Sequence, residues 1–243
     1  LEGDANLIAK ARTGTGKTLA YLIPMVEKID PEKKELQMLV LAPSKELSLQ
    51  IHREAESIVK NTSINIIPLV EGTNIKRQLD KLKKKPQFII ATPGMLVHLI
   101  GLKKVKMHGV KMIALDEVDQ MLGQGLQDKV HAVINTTLKD RQLVSFSATL
   151  SKDALSILQS LMKKPQYIFL DKDKPVPSKI KHLYIVSKTL KKTETLAGLI
   201  QVLKPRKSLV FINKNENVDR FVNELKSLGL SVGGIQTRTT NQE

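Results

Sequence analysis

Short apolar runs alternate with longer helical stretches through the first 170 residues of the chain. Apolar runs of this length are typical of buried β-strands. They lie at Asn6 to Ala9, Met38 to Ala42, Phe88 to Ala91, Met112 to Leu115, Leu143 to Phe146 and Tyr167 to Leu170. Helical spacing occurs between them, for example at Leu155, Leu158 and Leu161 after a candidate N-cap at Ser151. The alternation predicts βαβ units, and therefore an α/β fold with a parallel sheet covered by helices on both faces.

The segment Asp171 to Lys179, DKDKPVPSK, interrupts this alternation. It is charged and holds two prolines, as an interdomain linker would. Beyond it we expect strands at His182 to Val186 and Leu209 to Ile212, a helix around Thr193 to Leu203, and a second helix that ends at Gly229. The predicted organisation is a first domain at residues 1–170, a linker at 171–179 and the N-terminal part of a second domain at 180–243.

Composition indicates an ordered, soluble protein. Hydrophobic residues make up 41% of the chain, and no apolar run approaches the roughly 20 residues that span a bilayer. The N-terminus lacks a charged-then-apolar signal pattern, so a cytoplasmic location is the default expectation. The absence of cysteine excludes disulfides and thiolate metal sites.

The chain is strongly basic. Its formal net charge is +15, from 39 Lys and Arg against 24 Asp and Glu, which would attract a polyanion such as nucleic acid. The lysine runs at Lys83 to Lys85 and at Lys103, Lys104 and Lys106 could equally be solvated surface. Aromatic residues are only 3% and Trp is absent, so contact with a phosphate backbone is favoured over base stacking.

A glycine-rich loop, ARTGTGKT at Ala11 to Thr18, lies between the first predicted strand and a helix. Strand, glycine loop and helix are the context that a phosphate-binding loop requires. The amides that can surround phosphate oxygens belong to Thr13, Gly14, Thr15 and Gly16. Lys17 would reach the β and γ phosphates, and Thr18 would serve Mg²⁺. By itself the loop is compatible with kinases, transporters and motors.

Three carboxylates, Asp116, Glu117 and Asp119, follow the strand predicted at Met112 to Leu115. Carboxylates bunched at the end of a buried strand repel one another unless a cation is present. Asp116 fits as a partner of Mg²⁺, in part through water, and Glu117 fits as the general base that orients the attacking water. An acidic helix N-terminus without catalysis would explain these residues alone, but the glycine loop favours the catalytic interpretation.

Five motifs occur in order along the first domain. They are ARTGTGKT, APSKELSLQ at Ala42 to Gln50, ATPGML at Ala91 to Leu96, LDEVDQML at Leu115 to Leu122 and SFSATL at Ser145 to Leu150. With these motifs the chain resembles the DEAD-box ATP-dependent RNA helicases of superfamily 2, with DEVD in place of DEAD. The resemblance continues weakly through LVFINKNENVDRF, around Phe211 and Asn213. It implies a RecA-like first domain, a partial second RecA-like domain, ATP and Mg²⁺ as ligands, and RNA as partner.

The resemblance also implies roles for individual residues. Lys17, Asp116 and Glu117 would be catalytic. The residues that would couple nucleotide state to RNA handling are Asp119, Ser147, Ala148 and Thr149. Those that would hold the RNA backbone are Pro43, Ser44, Lys45, Glu46, Gly72, Thr92, Pro93 and Gly94. Ordinary helix capping explains Ser44 and Thr92 as well. Backbone contacts carry little base information, so we expect sequence-tolerant binding, with the 2′-hydroxyl distinguishing RNA from DNA.

Four positions depart from the family pattern. Val118 replaces Ala, Lys45 and Met95 each replace Arg, and Glu71 puts a carboxylate where the family usually has Gly beside the RNA path. Lys45 loses bidentate phosphate geometry. Together these departures predict RNA affinity below the family norm.

Two groups of family motifs would lie outside the sequence. The glutamine motif that reads adenine would precede Leu1, and the arginine-finger motifs would follow Glu243. The chain is therefore expected to be a portion of a longer protein and, alone, to hydrolyse ATP very slowly.

The sequence predicts an RNA-stimulated ATPase that closes two domains around ATP and locally unwinds duplex RNA. One alternative is a non-catalytic, ATP-gated RNA clamp or annealer, weakly motivated by Val118. Another is a DNA-directed superfamily 2 motor, which the Ser-Ala-Thr segment argues against. We expect a monomer without membrane attachment, whereas the protein partners and the RNA substrate are not specified by the sequence.

Overall fold

The computed structural model describes residues 3–123, 125–170, 180–188, 191–213 and 217–236. The chain forms two compact units, Leu1–Pro177 and Ser178–Glu243, and each is described by itself. The linker predicted at residues 171–179 lies outside the described residues. The predicted domain limits stay a prediction.

A seven-stranded sheet forms the centre of the first unit. Its strands are β1 (Leu7–Lys10), β2 (Met38–Leu41), β3 (Ile66–Leu69), β4 (Phe88–Ala91), β5 (Met112–Asp116), β6 (Gln142–Ser147) and β7 (Gln166–Phe169). They pair in the order β3-β4-β2-β5-β6-β1-β7, and every pairing is parallel. Parallel neighbours require a crossover between consecutive strands, and helices supply these crossovers.

Helices cover both faces of this sheet. In the first unit they are α1 (Lys17–Glu27), α2 (Lys45–Val59), α3 (Ile75–Leu82), α4 (Pro93–Gly101), α5 (Val118–Gly123), α6 (Gln127–Asn135) and α7 (Lys152–Leu161). Side chains alternate along β2, so that Leu39 and Leu41 pack with α4 to α7 while Met38 and Val40 pack with α1 and α2. The predicted α/β class, with a parallel sheet covered on both faces, is confirmed. The N-cap predicted at Ser151 is confirmed too, since Ala154 N donates to Ser151 Oγ at 3.1 Å.

Strand β3 was not predicted from the sequence. Its residues Ile66 to Leu69 include Pro68, and proline argues against a central strand because it cannot donate a ladder hydrogen bond. The sheet order places β3 at the edge, where one side of the strand needs no partner. Pro68 is therefore compatible with a strand at this position.

The second unit contains two helices among its described residues, α8 (Lys192–Leu203) and α9 (Val218–Ser227). Both were predicted, and the end of the second at Gly229 is confirmed by its left-handed φ of 81°. The strands predicted at His182 to Val186 and Leu209 to Ile212 are wrong, because neither segment pairs in a sheet. A β-strand requires a hydrogen-bonded neighbour, and the apolar pattern alone does not supply one.

Within the part of the chain that the structure describes, every helix is too short or too polar to cross a lipid bilayer.

Candidate active site

The predicted site residues of the first unit all lie at the carboxyl ends of the strands. The sheet order divides them into two groups, because β5, β6 and β1 are neighbours on one side and β3, β4 and β2 on the other. The glycine loop and the acidic residues belong to the first group, and the residues around Ser44, Gly72 and Thr92 belong to the second. Open parallel sheets bind ligands at this edge.

Backbone hydrogen bonds hold the loops of each group together. Ala11 N donates to Ser147 O at 3.0 Å, which joins the glycine loop to the end of β6. Thr92 N donates to Leu69 O at 3.1 Å, which joins the ends of β4 and β3.

The glycine loop has the backbone that its glycines allow. Gly14 and Gly16 have φ values of 79° and 84°, a region that L-residues with side chains rarely adopt. Gly16 is also the N-cap of α1, so the helix begins directly at Lys17. Ala11 is buried and is not among the residues with positive φ, so its backbone does not require the glycine of the general pattern.

The Lys17 side chain folds back over the loop. Its Nζ donates to Ala11 O at 2.6 Å and to Arg12 O at 2.9 Å. The ammonium group is close enough to Asp116 and Glu117 to oppose the rise of both pKa values. The structure therefore brings together the lysine of the loop and the two carboxylates of β5, which are about 100 residues apart in the sequence.

Asp116 is the last residue of β5 and is buried. The Tyr21 hydroxyl donates to its Oδ2 at 2.8 Å, and Glu117 N donates to its Oδ1 at 3.0 Å. Burial raises the pKa of Asp116, while these two hydrogen bonds and the charge of Lys17 act in the opposite direction. Both oxygens of this carboxylate are thus oriented by the protein.

Tyr21 is a site residue that the sequence did not reveal. It lies one helical turn after Lys17 on α1, is fully buried, and packs its ring against Phe146 with centroids 5.1 Å apart. Burial and the charge of Asp116 raise the pKa of Tyr21, so the hydroxyl stays protonated and donates to the carboxylate. The (i, i+4) spacing from Lys17 is the signal that could have indicated it.

Thr18 and Asp116 flank the same phenol. A side-chain hydrogen bond from Thr18 lowers the pKa of Tyr21, against the effect of Asp116. Hydroxyl and carboxylate oxygens are ligands that Mg²⁺ accepts, usually together with phosphates and water. Among the described residues no group of three or more His, Cys, Asp or Glu side chains could hold a metal alone. The pair fits a Mg²⁺ ion that phosphate oxygens would also coordinate.

Glu117 has a left-handed backbone, with φ of 49°. Its Oε2 accepts a hydrogen bond from Gln120 Nε2 at 2.6 Å, which fixes the carboxylate. Burial raises the pKa of Glu117, and the nearby charges of Asp116 and Asp119 raise it further. A carboxylate in this environment is a stronger proton acceptor than an exposed glutamate.

The segment after β6 contacts the acidic residues. The Thr149 hydroxyl donates to Asp119 Oδ2 in a short hydrogen bond. Ser147 is buried, and within the described residues its hydroxyl has no hydrogen-bond partner, whereas Ala148 is half-buried. The end of β6 therefore touches both the glycine loop, through Ser147, and the acidic group, through Thr149.

Helix capping, the alternative to RNA binding for Ser44 and Thr92, accounts for Ser44 but not for Thr92. Ser44 Oγ accepts from Leu47 N at 3.2 Å and caps α2, which begins at Lys45. Thr92 precedes α4 but makes no side-chain cap, and its buried Oγ1 has no partner among the described residues. Pro43 precedes this cap and Glu46 lies in the first turn of α2.

Glu71 lies against the first turn of α4. One of its carboxylate oxygens occupies the space that a Cβ on Gly94 would take, and its Cδ is 3.1 Å from that point. Lys129 Nζ is 3.3 Å from the same point. Gly72, next to Glu71, has φ of 68°. A carboxylate is therefore held at the α4 N-terminus, where free backbone amides and the helix dipole favour an anion.

Two of the departures from the family pattern are core residues. Val118 is 1% exposed and Met95 is 9% exposed, and both belong to the hydrophobic cluster on the α4 to α7 face. The extra methyl groups of Val118 therefore contact the core, and the Met95 side chain is withdrawn from the surface.

Comparisons with known proteins agree with this geometry. A family model described as DEAD/DEAH box helicase matches residues 1–157. The chain is 39% identical, over all of its 243 residues and 62% of the relative, to the DEAD-box ATP-dependent RNA helicase CshC of Bacillus cereus. It is 37% identical, over 98% of the chain and 63% of the relative, to the probable ATP-dependent RNA helicase YfmL of Bacillus subtilis.

Solved structures give the same result. One is a Dbp5 variant of S. cerevisiae bound to RNA and ADP BeF3, with a TM-score of 0.82 and 30% identity. The match covers 96% of this chain and 60% of the Dbp5 chain. A DEAD box protein from Methanococcus jannaschii matches 97% of the chain and 63% of its own, with a TM-score of 0.66 and 27% identity. The chain thus spans about 60% of the length of these proteins.

Proposed function

The chain belongs to the DEAD/DEAH box helicase family, and we propose that it forms part of an ATP-dependent RNA helicase in which RNA stimulates ATP hydrolysis. The first unit has the RecA-like fold of that family. The proposal is supported above all by one cluster, in which Lys17, Asp116 and Tyr21 lie together with Glu117 at adjacent strand ends. That cluster supplies a cation, a metal partner and a base within one site.

In the proposed mechanism the amides from Thr13 to Gly16 bind the phosphates of ATP, and Lys17 exchanges its two loop carbonyls for phosphate oxygens. Thr18 and Asp116 would hold Mg²⁺, and Tyr21 orients the Asp116 carboxylate. When bound, the ion neutralises charge that develops on the phosphates. Glu117 accepts the proton of a water whose oxygen bonds to the γ phosphorus. The bond from that phosphorus to the oxygen it shares with the β phosphate breaks, and ADP and inorganic phosphate are released.

The other edge residues are proposed to bind RNA. They are Pro43, Ser44, Lys45, Glu46, Gly72, Thr92, Pro93 and Gly94, all at the ends of β2, β3 and β4. The unpartnered Thr92 hydroxyl supports a ligand near α4, because buried polar atoms are normally hydrogen-bonded. Asp119, Ser147, Ala148 and Thr149 are proposed to couple nucleotide state to RNA handling. Their support is that Ser147 O accepts a hydrogen bond from the glycine loop while Thr149 donates to Asp119.

Steady-state ATP turnover by the full-length protein, with and without RNA, tests the function. RNA should stimulate phosphate release, and DNA of the same sequence should stimulate it far less. An ATP-gated clamp would bind both ligands without turnover, and equal stimulation by DNA would indicate a DNA-directed motor.

The pH profile of ATP turnover should reflect the environment of Glu117. Because the pKa of this carboxylate is raised, and a general base must be deprotonated, kcat/KM for ATP should fall as pH decreases through the raised pKa. The acid limb should therefore lie above the pH expected for an ordinary glutamate, about 4.3. The acid limb is measured as kcat/KM for ATP, at saturating RNA, over a range of pH. ATP affinity over the same pH range is the control. A limb at or below the ordinary value would contradict this assignment.

Replacing Glu71 with glutamine should raise RNA affinity. The substitution keeps the side-chain size but removes a negative charge at the α4 N-terminus, where a phosphate would otherwise compete with it. We expect a gain of roughly 0.5 to 1.5 kcal/mol, or about two- to tenfold in Kd, because the site is near the surface. Fluorescence anisotropy at fixed salt measures it.

Glu27→Gln is the matched control for this substitution, because Glu27 is exposed at the end of α1 and lies outside both proposed RNA surfaces. The prediction fails if Glu71→Gln binds RNA no more tightly than Glu27→Gln does.

A further inference from the structure

The two lysine runs, which the sequence left open as solvated surface, lie at the amino-terminal ends of the strands. The residues from 83 to 87 connect α3 to β4, and those from 102 to 111 connect α4 to β5. Strand β2 lies between β4 and β5 in the sheet, and the connection from α1 to β2 adds Lys34. Because all three connections precede adjacent parallel strands, they meet at the amino-terminal edge, opposite to the candidate active site.

A groove of about 390 Å³ is formed by these connections. Its floor is apolar and includes Leu36, Ile89 and Val105. Five lysines line it, namely Lys34, Lys85, Lys103, Lys104 and Lys106. Lys104 also lines a hollow of about 510 Å³ together with Lys76 and Lys83, so the positive surface continues beyond the groove.

Acidic residues do not neutralise the groove. Glu35 lines the groove as a single carboxylate against five lysines, and it lies 3.8 Å from His108. Asp80 is 2.7 Å from Lys83. Across the described ranges of the chain, none of the five lysines of the groove forms an ion pair with a carboxylate. Like charges held around one concavity repel each other, and a polyanion would relieve that repulsion.

Two of these lysines have a left-handed backbone. Lys85 and Lys103 follow the ends of α3 and α4 with φ of 52° and 57°, positions where glycine is the common residue because a Cβ is unfavourable there. The helix dipole favours a cation at such a place, and Lys164 and Lys204 show the same backbone elsewhere. The helix dipole does not account for Lys34, Lys104 and Lys106, the other three lysines that line the groove.

We propose that this lysine groove is a second RNA-binding surface, which holds the phosphate backbone of RNA flanking the segment at the candidate active site. The proposal rests on the proposed function, since RNA is the ligand in both. Charge complementarity favours a polyanion, and the lining contains no Phe, Tyr or Trp that could stack on bases. Helix α2, with 15 residues, spans about 22 Å between the two edges. A stem of roughly ten base pairs is long enough to reach the groove.

Binding of two RNAs to the full-length protein tests the groove. One RNA is a short single strand of about eight nucleotides, and the other carries the same strand joined to a stem of about 20 base pairs. The variant is Lys34→Glu with Lys104→Glu and Lys106→Glu, three exposed positions without positive φ. For the longer RNA we expect at least about a tenfold loss of affinity, and a slope of log K against log salt that is smaller by about 2 to 3. Affinity for the short RNA should remain unchanged.

The control variant carries Lys163→Glu, Lys207→Glu and Lys226→Glu, which changes the net charge equally at exposed lysines outside the groove. The groove is refuted if its variant binds the longer RNA like this control, or if both RNAs weaken equally. Loss of binding to vesicles of phosphatidylserine and phosphatidylcholine, with RNA binding intact, would refute it in favour of a membrane surface. If the wild-type protein does not bind the short RNA, the proposed function fails by that result alone.

Discussion

Replacing Glu117 with glutamine in the full-length protein is expected to lower RNA-stimulated ATP turnover about 10²- to 10⁴-fold, the range that a positioned general base contributes. The amide cannot accept the proton of the attacking water. It has the same size as the carboxylate and keeps the left-handed backbone at this position, so the site geometry should persist. Phosphate release with saturating ATP and RNA measures the loss.

Two further measurements show whether the loss of turnover arises in the chemical step rather than in ATP binding. The affinity of Glu117→Gln for ATP should stay near the wild-type value, because the glycine loop is unchanged. Glu27→Gln, at an exposed position at the end of α1, should turn over ATP normally. Turnover retained by Glu117→Gln would refute its role as the base.

Replacing Lys17 with alanine should weaken ATP binding and lower turnover about 10²- to 10³-fold, the typical effect of removing one electrostatic donor to a developing charge. The Nζ of Lys17 lies over the glycine loop, held by Ala11 O and Arg12 O. Its loss also removes a charge that lowers the pKa of both Asp116 and Glu117. Titration with a fluorescent ATP analogue measures the loss of ATP binding, and steady-state phosphate release measures the loss of turnover.

The matched variant is Lys33→Ala, an exposed lysine whose contact with Asp30, at 3.7 Å, contributes little. It should bind and hydrolyse ATP as the wild type does. If Lys17→Ala retains wild-type affinity and turnover, the assignment of the loop as the phosphate site is wrong.

The sequence predicts most of the sheet because its central strands are buried and therefore read as apolar runs. The run at Tyr167 to Leu170 also predicted a buried strand, and the burial was wrong, because β7 lies at the edge of the sheet and its residues are exposed. The runs at Phe88 and Met112 became β4 and β5 with nearly the expected limits. Strand β3 was missed because edge position, which permits Pro68, is a property of the whole sheet. The strands predicted near Tyr184 and Phe211 were wrong because pairing depends on neighbours that an apolar pattern does not contain.

The candidate site was predictable where it is local in sequence. The glycine loop and the acidic turn each hold the residues of the proposed chemistry within a few consecutive positions. Tyr21 was missed because its contact with Asp116 spans 95 positions and exists only after α1 packs on the sheet. The resemblance could not show that Met95 and Val118 are buried, since a family pattern gives residue types without their exposure.

The contact between Glu71 and Gly94 was also beyond the sequence. Departure from the family pattern, which usually has Gly here, indicates that Glu71 puts a carboxylate beside an RNA path, but not that its oxygen takes the place of a missing Cβ. The proximity arises because β3 and β4 are neighbours, and β3 itself was not predicted.

The left-handed backbone of Glu117 implies an opposition between activity and folding in the evolution of this chain. A glycine at this position would relieve a conformational cost of about 1 to 2 kcal/mol while deleting the carboxylate of the proposed base. Selection for stability alone would therefore favour loss of the carboxylate that the proposed catalysis requires. A Glu117→Gly variant should accordingly melt at a higher temperature than the wild type while it loses ATP turnover.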